Sequence, residues 1–82
     1  MSPQAPTHVL IVPKDHYRDV PMLAASAPDT LADVVGIADT VAANEGITAF
    51  RLVFNTGAEA GQSVFHVHAH LLGGRAMTWP PG

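Results

Sequence analysis

Phe65-His66-Val67-His68-Ala69-His70-Leu71-Leu72 decides how this chain is read. Histidine alternates with small or apolar residues three times. In a β-strand successive side chains point to opposite faces. That geometry puts His66, His68 and His70 on one face and Phe65, Val67, Ala69 and Leu71 on the other. A helix would scatter the same imidazoles around its cylinder, and the flanking valine and phenylalanine favour the strand. One face is therefore expected to be core, and the other a row of three titratable rings.

Three chemistries fit that row. Neutral imidazole is a ligand for zinc or copper. One ring could be a nucleophile with the others as helpers. Or the rings could fill a polar sheet face and do no chemistry, the common fate of a lone histidine. Three at strict alternation beside a glycine-bearing loop weigh against the last. Three imidazoles in close contact cannot all be protonated without mutual repulsion, so at least one is expected to stay neutral at pH 7. Both a ligand and a nucleophile need that state.

The 82 residues allow one small domain, which buries a modest fraction of its surface. With no cysteine, disulfides and thiolate chemistry are excluded. The formal net charge of −3 does not make a nucleic-acid footprint. No signal-like start or membrane-length apolar run is present, so a cytoplasmic protein without membrane contact is expected.

Working outward, Thr7 to Val12 is β-branched and apolar and closed by Pro13, the pattern of a strand buried on both faces. His8 at its mouth reads alone as a surface or capping residue. Arg18 to Ala27 is ambiguous, broken by Pro21 and Pro28. Pro28 suits the first position of a helix and Asp29 its first turn. Leu31, Val34, Val35, Ala38, Val41 and Ala42 then recur at helical spacing, and Gly46 closes the run. A helix over 29–45 is expected, serving as core or subunit contact. Gly36 within it either weakens it or permits close approach of a neighbour.

Phe50 to Phe54 is the second strand. Asn55 to Ser63 is a polar, glycine-containing loop that runs into the histidine stretch. It could be an ordinary hairpin loop. It could also be an anion cradle, in which backbone N–H groups near glycine and the neutral donors Asn55, Gln62 and Ser63 face an oxyanion. The apolar tail around Trp79 is expected to pack on the domain itself or on a partner. A loop joins the second and third strands, so they are antiparallel; a helix joins the first and second, so they are parallel. A right-handed crossover then leaves room for the histidine strand between them. The expected fold is α+β: a three-stranded antiparallel sheet in the order 1-3-2 with one main helix, as a single domain.

Pro6-Thr7-His8, Ile11-Val12-Pro13-Lys14, Gly61-Gln62-Ser63-Val64-Phe65-His66-Val67-His68-Ala69-His70-Leu71-Leu72-Gly73-Gly74-Arg75 and Trp79-Pro80-Pro81-Gly82 together resemble the histidine triad (HIT) family. Gly73-Gly74-Arg75 and the Trp-Pro-Pro-Gly tail are closest to its Hint branch of nucleotide-binding phosphoramidases. The resemblance implies a domain extending about forty residues further before Ser2. That part supplies a helix, a hairpin, the acidic residue for the ribose hydroxyls and apolar residues around the base. Its absence here would impair nucleoside affinity and leave the first strand as an exposed edge.

The resemblance also implies roles. His68 would attack an α-phosphorus and form a nucleotidyl-imidazole that water hydrolyses. The backbone carbonyl of His66 would hold its ring. His70 would bind phosphate oxygens or assist proton transfer, and Ser63 would donate to the phosphate or leaving amine. Asn55 and the backbone at Gly61 and Gln62 would line the anion site. His66 and His8 would form the supporting chain. No metal or other cofactor is implied. The substrate would be a purine nucleotide or nucleoside phosphoramidate. A homodimer would form through the 29–45 helix and the strand near Val53, with Trp79 reaching the partner's site. Two alternatives stand beside this: a dimeric interaction module with a vestigial site, and a three-histidine metal site.

Overall fold

The computed structural model describes residues 6–81. Strand β1 (Thr7–Ile11) leads to helix α1 (Val20–Ser26) and helix α2 (Pro28–Asn44). Strand β2 (Phe50–Val53), a short 3-10 turn (Ala58–Ala60) and strand β3 (Ala69–Gly73) follow. The sheet order is β1-β3-β2, with β3 antiparallel to both neighbours. The architecture is thus the expected α+β sheet with the histidine-bearing strand in the middle.

Register explains which residues share a face. Leu10 sits opposite His70 and His8 opposite Leu72, while Val53 flanks His70 from the other side. One sheet face therefore carries His8, Leu10, Val53, His70 and Leu72. The other carries Val9, Ile11, Leu52, Ala69 and Leu71 and packs on α2. The core joins Ile11, Val34, Ala38, Ala42, Ala69 and Leu71, with Val9, Val41, Ile47, Leu52 and Phe54 at its margin. Alanines at 38, 42 and 69 bring the helix close to the sheet. β1 is consequently buried on one face only, since Leu10 and Val12 are about half exposed. Both expected faces of the strand needed a cover, and this chain supplies one. Val35, included in the expected helical stripe, is likewise turned outward.

The ambiguous Arg18–Ala27 segment contains a second helix. Asp19 is its N-cap: the backbone there is extended, and the Asp19 carboxylate accepts from the Met22 N–H at 3.0 Å. Pro21 falls in the first turn, where a missing N–H costs no helical bond. Pro28 starts α2, as expected, and Gly46 with φ of 72° follows its end. No helix among the described residues is long and apolar enough to cross a membrane.

The third strand is shorter than the alternation implies. It begins at Ala69, so His66 and His68 precede it. The physical reason lies in β1. Extending the register would set Pro13 opposite Val67, and Pro13 has no N–H to give to a ladder. The Val67 N–H instead donates to the Tyr17 carbonyl at 2.6 Å. The chain bends at 64–66, and Phe65, expected in the core, is left half exposed.

Candidate active site

Two of the three alternating rings meet a third from β1. His68 and His70 lie with ring centroids 4.9 Å apart, and Nε2 of His8 shares a hydrogen bond of 2.9 Å with Nδ1 of His70. These rings line a cavity of about 260 Å³ together with Val53, Asn55, Gly61, Ser63 and Leu72. The expected site residues Asn55, Gly61, Ser63, His68 and His70 are therefore brought together, and His8 joins them as a lining residue rather than a remote cap.

His66 leaves the row. Its Nε2 donates to the Pro13 carbonyl at 3.3 Å and its Nδ1 meets Nδ1 of His16 at 3.0 Å. A carbonyl only accepts, so the hydrogen of the Pro13 bond sits on Nε2 of His66. The side-chain alternation fails here because the segment is no longer strand. The backbone carbonyl of His66 nevertheless accepts from Nδ1 of His68 at 2.8 Å. That bond places the His68 proton on Nδ1 and leaves the lone pair on Nε2.

His70 is 9% exposed. Burial, and then the neighbouring rings of His68 and His8, hold its pKa below the ordinary value, so it is neutral at pH 7. A neutral His70 can accept the bond from His8 at Nδ1, which leaves its own proton on Nε2.

Gln62 departs from its expected place. Its side chain, 3% exposed, is turned inward and is not part of the cavity wall. The backbone N–H groups of Gly61 and Gln62 donate to the carbonyls of Ala58 and Gly57. Neither is free to cradle an anion, because the 3-10 turn already uses both. Trp79 is 81% exposed, and Arg51 stands over its ring with Cζ 5.9 Å from the centroid. The Arg51 guanidinium also donates to the Thr78 carbonyl. The tail thus lies on the outer edge of its own sheet.

His16 and Asp19 were not singled out by sequence reasoning. The Asp-x-Pro start of a helix was a readable signal for Asp19. Nothing local marked His16, whose partner lies 50 residues away.

The family model described as the HIT domain matches residues 1–77. The chain belongs to the HIT domain family. A crystal structure of a HIT family hydrolase from Legionella pneumophila superposes with a TM-score of 0.92 at 48% identity, over 98% of this chain and 73% of that one. A 14 kDa zinc-binding protein of Zea mays is 45% identical over 87 aligned residues, covering all of this chain and 66% of the relative. The adenylylsulfatase HINT1 of Arabidopsis thaliana is 42% identical across the whole chain, which spans 58% of its length. HIT membership supports hydrolase chemistry on nucleotides in general.

Proposed function

We propose that this HIT domain belongs to the Hint branch and hydrolyses purine nucleoside phosphoramidates through a nucleotidyl-histidine on His68. The observation that carries the reading is the bond from His68 Nδ1 to the His66 carbonyl, which leaves Nε2 as the attacking atom.

In the first step Nε2 of His68 attacks the α-phosphorus. A phosphorus–imidazole bond forms as the phosphorus–amine bond breaks, and the amine leaves neutral, taking a proton relayed from solvent through the Ser63 hydroxyl. In the second step water attacks the same phosphorus and gives up a proton to solvent, the phosphorus–imidazole bond breaks to restore the Nε2 lone pair of His68, and a nucleoside monophosphate departs. Ser63, exposed at the cavity rim, donates to the phosphate or the leaving amine. Neutral His70, receiving its Nδ1 bond from His8, would turn an Nε2–H toward a phosphate oxygen. Asn55 adds a neutral donor opposite. The name of the Arabidopsis relative, an adenylylsulfatase, fits a site that handles an adenylyl group.

Zinc does not fit the donor set. His66, the first ring of the row, turns away to His16 and the Pro13 carbonyl, so the three alternating imidazoles do not share one site. Among the described residues no three His, Asp or Glu side chains converge to hold a metal ion. The three-histidine metal site is accordingly set aside.

The functional unit we propose is a cytoplasmic homodimer formed through α2 and β2 near Val53, with Trp79 meeting the partner's cavity. Val35, Ile37 and Phe50 on those elements are exposed and apolar, which supports it. A dimeric interaction module with a vestigial site would share this surface. Steady-state hydrolysis of an adenosine phosphoramidate by the wild-type protein and by His68→Ala separates the two readings. Turnover lost in the variant supports the enzyme, and equal rates in both would overturn it.

A further inference from the structure

The buried Gln62 side chain uses every polar atom it has. Its Oε1 accepts from the Gly57 N–H at 2.8 Å, and its Nε2 donates to the Arg18 carbonyl at 2.7 Å and the Val64 carbonyl at 3.4 Å. The partner at Arg18 is 44 residues away. The adjacent carbonyl, of Tyr17, takes the N–H of Val67, the residue before His68. One short stretch, Tyr17-Arg18, therefore holds two walls of the cavity: the loop that ends in Ser63, through Gln62, and the segment that carries His68, through Val67.

The stretch is itself anchored. Asp19 caps α1 by accepting from the Met22 N–H, and it accepts from Nε of Arg18 at 3.2 Å. The capping N–H of Met22 holds its carboxyl below the usual carboxylate range; burial opposes this and the Arg18 side chain adds to it, so it stays charged through neutral pH.

We propose that Gln62 is a positioning residue that sets the distance between Ser63 and His68 by bracing the site loop against the Tyr17-Arg18 turn. The inference rests on the function proposed above for its kinetic consequence, and on geometry alone for the brace. Gln62 touches no reacting atom. It acts because donors that stabilise a transition state must be placed to within a fraction of an ångström, and a displacement of about 1 Å costs up to about 100-fold in rate.

A double-mutant cycle tests this. Gln62→Leu keeps the volume and removes every hydrogen bond. Gln62→Glu keeps the acceptor for Gly57 and removes the donors, and it serves where the leucine variant does not fold. Each is combined with Ser63→Ala, with an adenosine phosphoramidate as substrate. The expected result is a fall in kcat of about 10–100-fold in the Gln62 variant, with KM changed far less. The double variant is expected to be no slower than Ser63→Ala alone, since a misplaced serine and an absent one are equivalent. Wild-type kcat in the Gln62 variants, or losses that multiply in the double variant, would overturn the proposal.

Amide hydrogen exchange reads the brace without turnover. Gly57 is expected to lose protection in Gln62→Leu and keep it in Ser63→Ala; unchanged protection in Gln62→Leu would overturn it. If the wild-type protein shows no hydrolysis, the proposed function fails, and exchange alone then decides the brace.

Discussion

Replacing Gly36 by alanine should make the protein more stable. Gly36 lies inside α2, exposed, and a Cβ built on it meets nothing within 4 Å. A glycine in a helix interior costs about 0.8–1 kcal/mol relative to alanine, partly through the freedom it gives the unfolded chain. For a domain of this size that gain corresponds to a rise in Tm of about 4–8 °C. Gly73→Ala is the matched control. Its Cβ would stand 2.8 Å from Cγ2 and 3.1 Å from Cδ1 of Ile47, and 3.6 Å from the Ala49 carbonyl oxygen. Ile47 is itself tied by its N–H to the Ala42 carbonyl, so the core must shift, at about 1–3 kcal/mol. Thermal unfolding followed by circular dichroism, at several protein concentrations and with light scattering beside it, measures both. A fall in Tm for Gly36→Ala without a change in oligomeric state would refute the propensity argument. A fall that tracks loss of the proposed dimer would instead put a second copy's backbone against Gly36, in space that is open in the single chain.

Two further outcomes follow from burial. Leu71, fully buried on the central strand, should cost about 3–5 kcal/mol as Leu71→Ala, a large part of the total expected for 82 residues; urea denaturation would show it, and a loss under about 1 kcal/mol would refute the core assignment. His70 resists protonation when folded, whereas unfolded it takes a proton near 6.5. The unfolded chain then binds more protons as pH falls. Its contribution to stability is complete above 6.5 and is lost as pH falls below that value toward the lower folded pKa. His70→Gln should flatten this limb of the stability–pH curve, and an unchanged slope would contradict the burial argument.

Much of the fold was legible because it rests on local signals. Pro28 and Gly46 bracket α2, and the loop and helix connections dictate strand direction and order. Alternation correctly assigned Val67, Ala69 and Leu71 to the core and paired His68 with His70 on the opposite side. It failed at Phe65 and His66, where a residue elsewhere decides the outcome: Pro13 stops the ladder, and His16 and the Pro13 carbonyl capture the His66 ring. Helix α1 was obscured by two prolines whose positions, the second residue of the helix and the residue after its C-cap, in fact delimit it. Gln62 looked like a substrate donor from its neighbours in sequence. Only the fold brings the Arg18 carbonyl to it.

The central claim is that Nε2 of His68 bonds to phosphorus. A single-turnover experiment measures it most directly: the protein is mixed with an adenosine phosphoramidate, quenched in alkali that preserves phosphorus–imidazole bonds, and read by intact mass and peptide sequencing. A transient nucleotidyl adduct on His68 is expected, forming and decaying at rates consistent with turnover and absent from His68→Ala. Hydrolysis without an adduct, or an adduct on any other residue, would contradict it.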